Sequence, residues 1–219
     1  MKAAQIPLPL PTEARLGRED FCLSDANREA YAFIDAWPAW NAPGLLLTGP
    51  EASGKTHLAR IWQAQAGGEA LKPEHVTLEN PALLTPRPTL VENAERVASQ
   101  QALLHLFNTL KTEGQSLLLT SRLPLAAWGF TLPDLVSRLN TLPRAMLHAP
   151  DDALLVSVIT KHFSDRQLSL PGEVIAWLLP RMERSLVEAK RVAEALDRAS
   201  LAEKRAVTLG LTRQVFEGF

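Results

Sequence analysis

The chain has 219 residues, of which 46% are hydrophobic and 21% are charged, a composition that suits a globular domain with a small second one and excludes a wholly disordered protein. The formal net charge is −1, whereas proteins that hold DNA by its phosphates carry a basic excess or stripe, so strong direct DNA binding is disfavoured. No apolar run reaches the roughly 18 residues of a membrane helix and nothing resembles a signal peptide, which predicts a cytoplasmic protein.

Two local features stand out near the start of the chain. The stretch MKAAQIPLPLP has alternate prolines at Pro7, Pro9 and Pro11, which remove backbone donors and favour an extended conformation. Residues 1–14 are therefore predicted to form an extended tail. The single cysteine, Cys22, can form neither an internal disulfide nor a metal site of several cysteines, and we interpret it as a buried, inert thiol.

The segment FCLSDANREAYAFIDAW is predicted to be a helix. Ser24 or Asp25 can cap its N-terminus, because a side-chain oxygen there accepts hydrogen bonds from the first free backbone N–H groups. Ala30, Phe33 and Trp37 then follow at the three- and four-residue spacing of a helix face.

Apolar strands and helices alternate in the next part of the chain. In order, they are a strand at 44–48, a helix at 55–66, short strands at 75–80 and 88–93, a helix within 97–114 and a strand at 116–121. Strands separated by helices form a parallel sheet with crossover helices, so residues 15–150 are predicted to be an α/β domain. Residues 151–219 are predicted to be a small all-α domain, with helices at 151–164, 171–183 and 185–204.

The sequence GPEASGKT at 49–56 matches the phosphate-loop pattern G-x-x-x-x-G-K-T in full, and it lies between a predicted strand and a predicted helix, as that pattern requires. Its glycines let backbone N–H groups turn towards phosphate, Lys55 reaches the outer phosphates, and the Thr56 hydroxyl can bind Mg²⁺. The nucleotide-binding candidates are Gly49, Pro50, Ala52, Ser53, Gly54, Lys55 and Thr56. The alternative is an ordinary glycine-rich turn between a strand and a helix.

Nucleotide hydrolysis also needs an acidic residue on a second strand to hold Mg²⁺, and usually another to orient water. Glu92, at the end of TLVEN, is the metal candidate, unless it is only a solvated strand end. The next residue is Asn93, and an amide is a poor base. Thr120 and Ser121, which end the strand LLLTS, can sense the outer phosphate or can simply cap the turn that follows.

These motifs, in this order, resemble the AAA+ family of ATPases and, within it, the DnaA branch, which includes DnaA-related regulators of replication initiation. The resemblance covers nearly the whole chain. REDFCLSDANREAYAFI resembles the segment that wraps the adenine, and LVEN resembles the acidic-Asn variant of the second strand. LLLTSRLP resembles the sensor strand, and LDRASLAEKRAVTLGLTRQVFE resembles the closing helices of a lid. The resemblance implies an AAA+ phosphate-loop domain with a parallel sheet and crossover helices, followed by a small all-α lid domain.

The resemblance also implies roles for single residues. It places Phe21 and His57 beside the nucleotide. The segment LPDLVSRLN matches the one that bears the arginine finger of the family, which assigns that role, acting in trans, to Arg138. The alternative is a surface arginine in a helix turn.

Two positions depart from the family pattern. Val187 stands where the family has a lid arginine that leans onto the nucleotide, although Arg184, one turn earlier, could substitute for it. Arg122 stands in the sensor turn, where an acidic or amide residue is usual. These departures argue for weak or no ATP hydrolysis by this chain itself, and for a protein that holds ADP or ATP with Mg²⁺.

The N-terminal tail resembles the Q-x-x-L-x-L peptide by which such regulators bind the β sliding clamp of DNA polymerase III. An extended peptide of this kind makes polar contacts through its glutamine and fills an apolar pocket with its leucines. The clamp-binding candidates are Gln5, Ile6, Leu8 and Leu10. The alternative is a proline-rich linker. A second copy of the pattern, QLSLP at 167–171, lies between predicted helices, where Leu168 and Leu170 are expected to pack inside.

The function implied is negative regulation of replication initiation. The protein would bind the clamp, and so DNA indirectly, and would promote hydrolysis of the ATP held by DnaA; its self-association is left open. Two rivals remain at this point, an adaptor that recruits DnaA without stimulating hydrolysis and an AAA+ ATPase or helicase loader that hydrolyses ATP itself.

Overall fold

The computed structural model describes residues 16–80 and 86–217, so the predicted clamp-binding peptide lies outside the described residues. Five parallel strands form one sheet in the order β2-β3-β4-β1-β5. The strands are β1 (Gly44–Thr48), β2 (Glu69–Leu71), β3 (Thr89–Val91), β4 (Leu117–Ser121) and β5 (Arg144–Met146). In register, Thr48 of β1 lies beside Ser121 of β4, so the loop after β1 and the turn after β4 begin at the same edge of the sheet.

Four helices cover the two faces of this sheet. They are α1 (Arg28–Asp35), α2 (Lys55–Ala66), α3 (Gln100–Thr112) and α4 (Pro133–Asn140). Successive strand residues point to opposite faces, so Leu45 and Leu47 pack in the same apolar cluster as α1 and α2, whereas Leu46 packs with α3 and α4. The parallel sheet with crossover helices is therefore confirmed.

The helical domain consists of α5 (Asp152–Ser164), α6 (Gly172–Leu178), α7 (Leu186–Glu203) and α8 (Leu209–Glu217), which surround a third apolar cluster. Three of its helices begin with side-chain caps, since Asp151 accepts a hydrogen bond from the N–H of Leu154, Ser185 from that of Glu188 and Thr208 from that of Leu211. Helix α6 ends before the predicted residue 183, because Pro180 cannot donate a helical hydrogen bond.

The strand predicted at 75–80 is wrong. The chain turns there instead: Pro73–His75 form a 3-10 turn, and Asn80 bonds back to Thr77 and His75. Val76 is buried as an anchor beneath the turn rather than as part of a strand. The strand that fills this place in the sheet is β2, which the sequence analysis did not predict.

The start predicted for the first helix is also wrong. Residues 25–27 form a turn, in which Ser24 accepts a hydrogen bond from the N–H of Ala26. The helix begins at Arg28, with Asn27 at the N-cap position, and ends at Asp35. Trp37 lies beyond its end, but it still packs against the core and donates from Nε1 to Ser116.

Over residues 16–80 and 86–217, none of the helices combines the length and the apolar character that spanning a bilayer requires.

Candidate functional site

The loop after β1 is held in a shape that glycine makes possible. A Cβ on Gly49 would lie 2.6 Å from the carbonyl oxygen of Leu147, so only glycine fits that close approach. Gly54 has a φ of 97°, in the left-handed region, and begins helix α2. Ala52 also has a positive φ, 55°, a costly conformation that is typical of ligand-binding loops.

Lys55, the first residue of α2, reaches back into this loop. Its side chain is largely buried, and Nζ donates to the carbonyl oxygens of Gly49 at 2.8 Å and Pro50 at 2.6 Å. Burial lowers the pKa of the ammonium from its usual value, and the positive charge of Arg122 lowers it further. The loop therefore places a partly desolvated cation where a phosphate group would be bound.

Thr56 faces the carboxyl end of β3. Its Oγ1 donates to Oε2 of Glu92 at 3.4 Å, and the other carboxylate oxygen of Glu92 lies 3.2 Å from Arg60. A hydroxyl beside a carboxylate is an oxygen-donor pair that suits Mg²⁺. The structure thus brings together the two residues predicted to hold the metal, from elements 36 residues apart.

Thr120 and Ser121, the predicted sensors, are buried and make structural contacts. Thr120 Oγ1 accepts a hydrogen bond from the N–H of Asn93 at 3.1 Å, which ties β4 to the end of β3. Ser121 Oγ accepts from the N–H of Leu123 and donates to the carbonyl oxygen of the same residue. The contacts of Ser121 match the capping alternative, and a sensing role for either residue stays a prediction.

Phe21 and His57 meet on the other side of the loop. Their rings make an edge contact with centroids 5.2 Å apart, Phe21 also stacks on Tyr31, and His57 Nε2 lies 2.9 Å from the carbonyl oxygen of Gly17. Two aromatic rings from different elements form an apolar wall beside the phosphate loop, as a site for a planar base requires.

The phosphate loop, the aromatic wall of Phe21 and His57, and the helical domain together enclose a cleft of about 740 Å³. This volume is within the usual range for a small-molecule site. Cys22 lies on the wall of the cleft and is half-buried, so the prediction that it is buried is wrong, and its inertness stays a prediction. Burial raises the pKa of the Cys22 thiol, an effect that the positive charge of Lys161 partly offsets.

The helical domain contributes charged side chains that the sequence analysis did not single out. Lys161 bonds to Asp20 of the α/β domain at 3.0 Å and to Asp165 at 3.3 Å, and the hydrogen bond to Asp20 is the main cause that raises the pKa of Lys161. Arg166 is paired with Asp197 at 2.8 Å. Lys161 and Asp20 lie 141 positions apart in the chain, a pairing that no local pattern indicates.

The comparisons with known proteins agree with this arrangement. Residues 152–216 match the family model described as Hda, lid domain. Domain III of the replication initiation protein DnaA of Thermotoga maritima has a TM-score of 0.80 at 19% identity, over 96% of this chain and 99% of that one. AMPPCP-bound DnaA of Aquifex aeolicus has a TM-score of 0.72 at 19% identity, over 85% of this chain and 67% of that one. An uncharacterized protein of Haemophilus influenzae is 25% identical over 241 residues, which cover 96% of this chain and 97% of the relative.

The chain has the fold of DnaA domain III, and its C-terminal residues 152–216 match the Hda lid domain.

At position 187, where the family resemblance implies a lid arginine, the lid presents a valine to the cleft. The Val187 side chain is 66% exposed and lies on the cleft wall. Arg184, which the sequence analysis offered as its substitute, pairs with Asp152 at 3.0 Å and is not among the described residues that line the cleft. Arg122, the other departure from the family pattern, does line the cleft and pairs with Glu51 of the loop at 2.8 Å.

Arg138 lies on α4, outside the described residues that line the cleft. Its guanidinium donates from Nε and from Nη2 to the two carboxylate oxygens of Asp134, at 3.1 and 3.3 Å. Asp134 is exposed and one helical turn away, so the pair is a surface one and is weak in water. The guanidinium is thus held at the surface by a contact that is easily exchanged.

The second copy of the clamp-peptide pattern is part of the lid core. Leu168 and Leu170 pack against the apolar cluster of the helical domain, as the sequence analysis expected.

Proposed function

We propose that this AAA+ protein binds an adenine nucleotide, ADP or ATP with Mg²⁺, in the cleft between its α/β domain and its lid. One arrangement carries the proposal: a phosphate loop with Lys55 inside it and Thr56 facing Glu92 lies opposite a lid of the Hda family. DnaA of Aquifex aeolicus, which shares the fold, was solved with AMPPCP bound.

The predicted site residues hold different parts of the nucleotide. Lys55 and the N–H groups of the loop hold the phosphates, helped by the partial positive charge at the N-terminus of α2. Thr56 and Glu92 hold Mg²⁺, which neutralises phosphate charge. Phe21 and His57 form the side of the cleft that receives the base. Because Asn93 cannot act as a general base, the protein holds its nucleotide with little or no hydrolysis.

We further propose that the protein is a negative regulator of replication initiation that promotes hydrolysis of the ATP bound to DnaA. The Hda-type lid and the DnaA-like fold support this proposal. So does Arg138, which lies away from the protein's own cleft and whose side-chain partner, within the described part of the chain, is the exposed Asp134.

The proposed chemical role of Arg138 follows from the planar arrangement of the N–H donors in its guanidinium group. In the transition state of phosphoryl transfer, negative charge spreads over the oxygens of the transferred group. Arg138 exchanges Asp134 for these oxygens on the ATP of DnaA and binds them bidentately. An arginine supplied in trans accelerates such reactions by roughly 10³–10⁵-fold. DnaA then holds ADP and is inactive in initiation.

The tail at Gln5, Ile6, Leu8 and Leu10 is proposed to bind the β sliding clamp. This contact would bring the protein to DNA without direct DNA binding, in keeping with its net charge of −1, and would associate it with the nucleoid in the cytoplasm.

The test is conversion of DnaA-bound radiolabelled ATP to ADP in the presence of clamp loaded on DNA, with and without this protein. We expect conversion to accelerate only when clamp and protein are both present. Recruitment of DnaA to clamp-bearing DNA without acceleration would establish the adaptor rival instead. Release of phosphate by the protein in the absence of DnaA would establish the ATPase rival.

A further inference from the structure

Arg122 occupies a place in the cleft that no proposed role has used. It follows β4 directly, at the carboxyl edge of the sheet, where the loop after β1 also begins. Its Nη1 lies 2.8 Å from Oε2 of Glu51, inside the phosphate loop, and its backbone N–H donates to Glu95 at 3.3 Å. The backbone bond fixes where the side chain starts, so the guanidinium is aimed across the mouth of the loop.

Lys55 and Arg122 line the same cleft, Lys55 from the start of α2 and Arg122 from the turn after β4. Two cations on one side of a loop repel each other, and a phosphate group bound between them relieves that repulsion. Since the lysine of a phosphate loop reaches the outer phosphates, Arg122 borders the outer end of the nucleotide.

Two of the three lid cations that line the cleft are held by carboxylates at close range. Lys161 is held by two carboxylates and Arg166 by one. Lys190 is the third, and its Nζ lies 3.8 Å from Oε1 of Glu194, so this pair is looser. Val187, which takes the position of the usual lid arginine, offers no charge.

We propose that Arg122 is a second phosphate-binding residue of this cleft, which exchanges Glu51 for the outermost phosphate of a nucleoside triphosphate and so makes the site discriminate triphosphate from diphosphate. The inference rests on the proposed nucleotide-binding function and adds a specificity determinant to it. The discriminating charge comes from the α/β domain, so discrimination does not need a lid arginine.

Breaking the ion pair between Arg122 and Glu51 costs little free energy, and binding of Arg122 to a phosphate in its place is favourable. The side chains of Glu51 and Arg122 are 73% and 46% exposed, and exposed ion pairs contribute little in water. A terminal phosphate carries more charge than a carboxylate and presents several oxygens to the planar guanidinium fork. Glu51 therefore acts as a resting partner that keeps Arg122 at the loop mouth.

The test compares binding of AMPPCP, a non-hydrolysable ATP analogue, with binding of ADP by calorimetry in the presence of Mg²⁺. Arg122→Ala is expected to weaken AMPPCP binding about tenfold or more, the usual scale for a charge-assisted contact, and ADP binding less than about twofold. Arg122→Lys is expected to restore only part of the difference, because a point charge lacks the fork. Thermal unfolding of each variant reports whether the fold is intact.

Glu51 provides the second arm of the test. Glu51→Gln removes the competing carboxylate, so AMPPCP binding should tighten while ADP binding stays unchanged. The double variant should bind both nucleotides like Arg122→Ala alone. Lys190→Ala is the matched control, since it removes another cation of the same cleft, and it should not change the ratio of the two affinities.

The inference would be overturned if Arg122→Ala weakened AMPPCP and ADP binding equally, or weakened neither. It would also be overturned if Lys190→Ala, and not Arg122→Ala, selectively weakened AMPPCP binding. These results leave the proposed function standing, because the unaltered protein still binds nucleotide. If the unaltered protein binds neither AMPPCP nor ADP, the nucleotide-binding function fails, and the role of Arg122 fails with it.

Discussion

Thr56 Oγ1 donates a hydrogen bond to Glu92 Oε2 at 3.4 Å, which joins the start of α2 to the carboxyl end of β3. The two strands that precede these residues, β1 and β3, flank β4 on opposite sides. The parallel sheet therefore turns two distant sequence motifs into one pair of oxygen ligands.

This pair gives a prediction on Mg²⁺. Glu92→Gln replaces an anionic ligand with a neutral one, so the gain in ATP affinity on adding Mg²⁺ should shrink about tenfold or more, whereas binding measured in EDTA should change little. Calorimetric titrations of ATP with and without Mg²⁺ measure both quantities. Glu113→Gln, at the exposed end of α3, is the control. An unchanged Mg²⁺ effect in Glu92→Gln would remove Glu92 from the metal site.

Lys55 gives a prediction on the nucleotide itself. Lys55→Ala removes the ammonium inside the loop and should weaken ADP binding at least about tenfold, the scale of one charge-assisted contact. Lys111→Ala, at an exposed position on α3, should bind ADP normally. Circular dichroism checks the fold, because Lys55 also bonds to Gly49 and Pro50. ADP binding by Lys55→Ala at the affinity of the unaltered protein would contradict the phosphate-loop assignment.

Cys22 gives a prediction on pH. Because burial raises its pKa, less thiolate is present at neutral pH, and alkylation by iodoacetamide should be slower than in the urea-unfolded chain. The rate should rise with pH, with its midpoint above that of the unfolded thiol. ADP should slow it further, since Cys22 lines the cleft. Cys22 is the single cysteine of the chain, so the mass that alkylation adds to the protein, measured by mass spectrometry, reports on Cys22 alone. If the midpoint of the pH dependence lay below that of the unfolded chain, or if ADP gave no protection, the thiol would not lie on the cleft wall as described.

The clamp peptide gives a prediction that separates binding from stability. Replacing Gln5, Leu8 and Leu10 with alanine should abolish recovery of the β clamp in a pull-down and leave the melting temperature unchanged. Replacing Leu168 and Leu170 with alanine should do the reverse. These two half-buried leucines pack on the lid core, so their loss should lower stability by about 1–3 kcal/mol while clamp recovery persists. Clamp recovery by the first variant would overturn the assignment of the peptide.

The elements that sequence predicted well are those whose chemistry is local. Helix α2 was predicted at 55–66 and spans Lys55–Ala66, because the phosphate-loop pattern fixes where it begins. Strands β1 and β4 are continuous apolar runs buried on both sides, which is typical of a central parallel strand.

The short edge elements could not be predicted in the same way. Strand β5 is three residues long, with Ala145 buried between exposed neighbours, and β2 is half-buried at the other edge. Neither has enough residues to show a period. The apolar segment at 75–80 has the composition of a strand, but Val76 alone enters the core there, so the tertiary context overrides the local preference.

Contacts between distant parts of the chain were also beyond the sequence. Only the family resemblance could suggest a role in the cleft for Arg122 or Val187, because neither residue forms a sequence motif with the residues that it lies beside in the structure. The pairing of Arg122 with Glu51, and the position of Cys22 on the cleft wall, depend on how the loop after β1 meets the turn after β4 and the lid.

Arg138 carries the central claim, since the proposed regulation requires its guanidinium on the ATP of another protein. Arg138→Ala should keep the fold, ADP binding and clamp binding, because its described side-chain partner is the exposed Asp134. Arg138→Lys should not restore full activity, since lysine lacks the planar fork. Arg213→Ala, at an exposed position on α8 of the lid, is the matched control.

The most direct measurement is therefore the rate at which DnaA-bound ATP becomes ADP, with DNA-loaded clamp and either the unaltered protein, Arg138→Ala or Arg213→Ala. We predict that Arg138→Ala loses at least ~10² of the stimulation, in line with the magnitudes known for arginine fingers, and that Arg213→Ala retains it. Stimulation by Arg138→Ala at the rate of the unaltered protein would contradict the account.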